Sequence, residues 1–227
     1  MQINTQWLNL LLILCGLVMV RLPYIGVFFR AVCTLIHESS HAFCALVFSQ
    51  QIMRIELNHN LSGSALISGG NRFTNILTSL AGYFGASLMA LLFMYLISKG
   101  HYQPILYCML PICVVNLVFW VRNLFGIIWV LLQIVAMALL IYYHQVIPSL
   151  FYVGLISSCL LSESLYSAFV ILKLSFTEPK KAGDSALLAK FTHIPAEFWG
   201  IVFFLQAAAL YVLSMLLVLN PWLNVIN

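Results

Sequence analysis

An all-α polytopic membrane protein with about seven transmembrane helices, and one small membrane-associated β-hairpin after the helix that carries HExxH, is the fold class this sequence predicts. Three observations carry that expectation. The 227 residues are 63% hydrophobic and only 7% charged, which is more apolar surface than one soluble core can hide. Apolar windows long enough for a bilayer core of roughly 30 Å recur along the chain, separated by turn signals. Between the second and third windows lies a stretch of strand-like rather than helical character.

The windows fall near residues 5–22, 27–48, 75–98, 103–120, 123–143, 147–172 and 198–219. Residues 7–19 belong to a retained first span, because no basic segment precedes the apolar run and no small-residue cleavage site follows it. Residues 21–23, with Arg21 and Pro23, end that span, and the second carries Arg30, His37, Glu38 and His41. In residues 50–75, Ile52, Ile55 and Leu57 and then Ala65 and Ile67 flank Leu61, Ser62 and Gly63, a pattern that fits a hairpin better than a helix. Breaks at residues 99–101, 120–122 and 144–148 divide the next four windows, the 120–122 break being the least marked. A polar segment, residues 175–199, holds the only aspartate, Asp184, and precedes the last window. Residues 1–227 are expected to form a single integral-membrane domain.

The net charge is +4 and the basic residues are scattered rather than gathered on one face, so nothing points to nucleic acid. All six cysteines lie in apolar runs without a CxxC pair, which suits buried thiols acting as small hydrophobes. Arg54, Arg72, Arg122, Lys173, Lys180, Lys181 and Lys190 follow even-numbered windows, against Arg21 and Lys99 on the other side. The positive-inside rule then places the N-terminus, both long connections and the active-site opening in the cytoplasm, of a plasma or inner membrane, with the C-terminus outside.

The chemistry concentrates in TLIHESSHAFC, residues 34–44. On a helix, His37 and His41 stack on one face with Cβ atoms about 5–6 Å apart, from which two imidazoles can ligate one metal ion. Glu38 sits about 100° round the helix, beside a metal's open position rather than on it. This is the HExxH pattern, in which two histidines hold zinc and the glutamate takes a proton from water. Ionisable residues at this depth cost roughly 2.5–3.5 kcal/mol each on insertion scales and so are functional by default. Helix-packing contacts of the two histidines are the plainer alternative.

Zinc needs a third protein ligand, and Asp184, Glu163, His59, His193, Cys33 and Cys44 are candidates. Cys33 and Cys44 share the histidine face but lie a turn beyond the pair. His59 falls in the hairpin and His193 in the polar segment, where a solvated loop histidine is the ordinary case. Glu163 is intramembrane and must find a partner, catalytic or structural. Asp184 emerges on the side toward which the histidine helix points, and it can ligate only if residues 183–199 dip into the bilayer as a re-entrant piece.

In these residues the chain resembles the site-2 protease family of intramembrane zinc metallopeptidases, most closely its B-like branch. The resemblance rests on IHESSHAFCAL, a glycine-bearing strand-like segment (residues 61–71), SLAGYFGASLMALLF, VRNLFG and GDSALLAKFTHIPAEFWG, in that order over residues 33–200. It implies zinc held by His37, His41 and Asp184, with Glu38 as catalytic base. It also implies a hairpin, residues 52–67, that receives substrate as an added strand, since an unwound helix must regain backbone hydrogen bonds. Gly82 and Gly85 would let the third span approach the zinc helix, although ordinary small-residue packing explains them equally well. The Leu-Asp-Gly tripeptide of the better-known branch is missing, and Ser40 stands where glycine is frequent.

The expected function is an intramembrane zinc metalloprotease acting on transmembrane protein substrates within the lipid bilayer. A client-binding scaffold without catalysis and a zinc-dependent lipid hydrolase are the rivals.

Overall fold

Within lipid a chain must satisfy its own backbone hydrogen bonds, so apolar runs fold as helices. The computed structural model, which describes residues 5–23, 25–58 and 62–219, is built that way. Helices α1 (Thr5–Met19) and α2 (Ile25–Val47) are followed by the antiparallel strands β1 (Gln51–Leu57) and β2 (Gly63–Ser68). Next come α3 (Arg72–Ser98), α4 (Gln103–Val115), α5 (Leu124–Tyr142) and α6 (Val146–Thr177), then the short α7 (Gly183–Thr192) and α8 (Ala196–Leu219). A π-helical turn, Asn116–Trp120, continues α4.

Five described helices are long and apolar enough to cross a membrane: α3, α4 with its π turn, α5, α6 and α8. All five fall on the expected windows, and the chain is a multi-pass membrane protein. Helix α1 has 15 residues, about 22 Å at helical rise, short of a bilayer core. Helix α2 has 23 residues, but its ionisable groups dilute its apolar content.

Side-chain contacts fix the helix directions. Helices α2 and α3 are antiparallel, since His41 meets Thr78 while His37 meets Tyr83. Helices α3 and α8 are parallel, with Tyr83 against Phe203 and Ser87 bonded to Gln206. Helices α8 and α6 are antiparallel, with Gly200 backed onto Ser175 and Phe204 against Phe169. Helix α2 therefore runs with α6. So does α1, because Gly16 abuts Ser158 and Arg21 reaches Glu163. The first two helices thus run the same way rather than alternating, and the N-terminal end of α1 lies toward the face opposite the one where α2 ends. Pro23 cannot continue a helix, yet no loop long enough to reverse the chain follows; Gly26 N–H already donates to Leu22 O at 2.9 Å.

The hairpin pairs Ile55 with Ala65 and Leu57 with Gly63, and its register shifts at Met53. Ile55 and Leu57 are buried with Leu35, Ile36, Phe93 and Leu106 in the core beneath it. Along the other edge of β1, Val121 bridges Ile55 and Arg122 N–H donates to Ile55 O at 3.2 Å. Asn123 then completes Leu57, accepting from its N–H at 3.0 Å and donating to its carbonyl. Strand β1 is bonded on both edges, and β2 carries an outer edge to which no further strand pairs among the described residues.

Candidate metal centre

Helix α2 sets the His37 and His41 Nε2 atoms 3.1 Å apart. Helix α7 brings Asp184 to them, with Oδ2 3.2 Å from His37 Nε2 and 3.3 Å from His41 Nε2. Among the described residues these three form the group that could hold a metal ion. A tetrahedral site with metal–ligand distances of about 2.0–2.1 Å has ligand–ligand edges of about 3.3 Å. The three donor atoms already stand at that spacing, and two imidazoles with one carboxylate are a donor set that zinc accepts.

The neighbours of the triad hold its donors in place. His41 Nδ1–H donates to Thr78 O at 2.6 Å, which leaves the Nε2 lone pair facing Asp184 and His37. Thr78 Oγ1–H donates to Gln50 Oε1 at 2.7 Å, and Gln50 Nε2 donates to Asn75 Oδ1 at 2.7 Å. The His37 ring meets Tyr83 edge-on at 4.7 Å. Opposite the donors lies Gly82: a Cβ there would come within 2.5 Å of His37 Cε1 and 2.6 Å of His37 Nε2, and would press on His41 Nε2 as well. Glycine leaves that space open. Gly85 similarly admits the Ser40 side chain, so both glycines set how closely α3 approaches α2.

Asp184 reaches the histidines through a local redirection of the chain. Helix α6 ends at Thr177, Pro179–Lys181 make a single 3-10 turn, and Gly183 takes φ +45° in the left-handed region that favours glycine. Asp184 follows in the first turn of α7. Burial alone would raise its carboxyl, but His41 and His37 beside it hold it below the ordinary carboxylate range. At the far end of α7, Thr192 Oγ1 accepts Trp199 Nε1–H at 3.1 Å and donates to Leu188 O at 2.7 Å. The Ile-Pro-x-x-x-Trp segment therefore ties the turn from α7 into α8.

Glu38 is buried beside the triad. Gly63, the first residue of β2, packs so closely that a Cβ would come within 2.9 Å of Glu38 Cδ and 2.5 Å of Thr34 Cγ2. Ala65 N–H donates to the Glu38 carboxylate from the outer edge of β2. The triad, Glu38 and β2 together line one cavity of about 1240 Å³.

The other sequence candidates stand elsewhere. Glu163 accepts from Arg30 Nε at 2.8 Å and pairs with Arg21 Nη1 at 3.3 Å. Cys33 is a buried thiol on the same cavity wall outside the donor group. Cys44 neighbours the Thr78 hydroxyl, His193 is exposed at the end of α7, and His59 lies outside the described residues. Sequence reasoning missed Thr78, the approach of Gly63 to Glu38, and Asn123. A neutral Thr and an Asn inside an apolar stretch carry no signal of what they will bond.

A family model described as Peptidase M50B-like matches residues 10–214. No curated protein and no solved structure matches the chain.

Proposed function

We propose, from the premise that the chain belongs to the Peptidase M50B-like family, that it is an intramembrane zinc metalloprotease hydrolysing peptide bonds in or near transmembrane segments of membrane proteins. The observation that carries this reading is the donor triangle of His37, His41 and Asp184 with Glu38 beside it, inside a cavity bordered by a strand edge.

His37 Nε2, His41 Nε2 and Asp184 Oδ2 would hold the metal. Zinc, when bound, supplies a nucleophile near neutral pH by lowering the pKa of water from about 15.7 to about 7. Glu38 takes a proton from the attacking water on its carboxylate and passes it to the leaving amide nitrogen, so that the C–O bond forms as the C–N bond breaks. The outer edge of β2 offers backbone groups to an unwound substrate, which needs them once its own helical bonds are lost. Gly63 leaves room for the Glu38 carboxylate at the head of that edge. A client-binding scaffold has no use for a base so placed, and lipid hydrolysis leaves the strand edge without a role.

The chain works as one integral-membrane domain. The basic residues Arg72, Lys173, Lys180, Lys181 and Lys190 lie toward the end of the bundle where α2 and α6 finish, which makes that end cytoplasmic by the positive-inside rule. With α1 and α2 running together as one broken pass, six passes account for the described helices, with α1 entering from the non-cytoplasmic side and α8 running back toward it.

Cleavage of a membrane-protein substrate in reconstituted vesicles tests the reading. Glu38→Gln should remove cleavage while zinc stays bound; cleavage at the wild-type rate in that variant contradicts it.

A further inference from the structure

At the end of the cavity away from the cytoplasm, one carboxylate is shared by two guanidinium groups. Glu163, buried in the middle of α6, accepts Arg30 Nε at 2.8 Å and faces Arg21 Nη1 at 3.3 Å. Both guanidinium groups also lie over the Tyr166 ring, at 4.2 Å for Arg21 and 5.7 Å for Arg30. One buried carboxylate needs one cation, so one positive charge is in surplus, in a setting where uncompensated charge is costly. No other acidic side chain pairs with either arginine among the described residues.

The two arginines differ in what they face. Arg21 lies in a separate lateral groove between α1, α6 and α8. Arg30 lines the catalytic cavity itself and is 27% exposed. It spends Nε on Glu163, and among the described residues no second carboxylate pairs with its two terminal nitrogens. Those nitrogens form the fork that binds a carboxylate through two parallel hydrogen bonds. Lys180 and Lys190, which pair with no acid among the described residues, extend the positive character to the cavity mouth.

We propose that the cavity selects substrates carrying an aspartate or glutamate on the non-cytoplasmic side of the scissile bond, and that Arg30 receives that carboxylate. Arg30 precedes His37 by two helical turns, about 10 Å, which an extended strand covers in about three residues. The acidic residue therefore belongs about three positions from the bond that is cut. Removing the Arg30 guanidinium leaves Arg21 to neutralise Glu163, so the fold does not depend on this recognition.

The proposal rests on the proteolytic reading of the cavity, and its test reads binding rather than turnover. The full chain is prepared with zinc in the Glu38→Gln background. Fluorescent peptides of Leu, Ala and Gly, with a single Glu or a single Gln walked through the sequence, are then titrated by anisotropy. The expected result is that Glu at one position binds at least tenfold tighter than Gln at the same position. Arg30→Gln should abolish that difference while leaving zinc content and the affinity of the Gln peptide unchanged, and Arg30→Lys, which keeps the charge but not the fork, should leave part of it. Equal binding of Glu and Gln peptides, a preference that survives Arg30→Gln, or an equal loss for both peptides would overturn it. Failure of the proteolytic reading shows separately, as wild-type cleavage that persists with Glu38→Gln.

Discussion

A Cβ on Gly82 would lie 2.6 Å from His37 Nε2, the atom that faces Asp184. Helix α3 therefore leaves empty the volume onto which the three donor atoms converge. Gly82→Ala should lower zinc affinity by at least a hundredfold with little change in helical content, measured by chelator competition and circular dichroism. Full zinc binding by the alanine variant would mean that α3 can retreat and that the glycine is ordinary packing.

Gln50 acts on the site from further away. It anchors the Thr78 side chain, and the Thr78 carbonyl holds His41 in the tautomer that presents Nε2. Outer partners of metal-binding histidines are worth about 10- to 100-fold in affinity, and Gln50 stands one bond beyond such a partner. Gln50→Leu should weaken zinc by about tenfold, with Gln50→Glu recovering part of it. An unchanged zinc titration in Gln50→Leu would separate the Gln50 network from the metal site.

Asn123 completes the edge of β1 by bonding both backbone groups of Leu57. Asn123→Ala leaves the N–H and carbonyl of the buried Leu57 without that partner, at a cost of about 1–3 kcal/mol each. Hydrogen exchange should speed up in β1 and substrate cleavage should fall while zinc remains bound. Unaltered exchange across residues 51–57 would show that residues 121–123 do not support the hairpin.

Much of this was legible in the residues, for identifiable reasons. The spacing of His37 and His41 fixes their shared face whatever surrounds them, because helical periodicity is local. Hydropathy located the long helices, since lipid leaves the backbone little alternative. The alternation around Ile55 and Ala65 located the hairpin. Directions were less accessible: hydropathy marks an apolar run but not its course past Pro23, and only the contacts Gly16–Ser158 and Arg21–Glu163 reveal that α1 runs with α2. The arrival of Asp184 depends on Gly183 adopting φ +45° after α6, a backbone choice that sequence allows without specifying. Gly82 was visible as a small residue, but whether it admits a neighbouring helix or a metal depends on side chains of α2 and α7.

His37, His41 and Asp184 stand together as one candidate zinc site, whereas Glu163 belongs to an arginine pair, a division that metal analysis can read. Zinc content of the purified wild type beside His37→Ala, Asp184→Ala and Glu163→Gln tests it most directly. One zinc per chain is expected in the wild type and in Glu163→Gln, with loss in the other two. Zinc retained in Asp184→Ala and lost in Glu163→Gln would contradict the account.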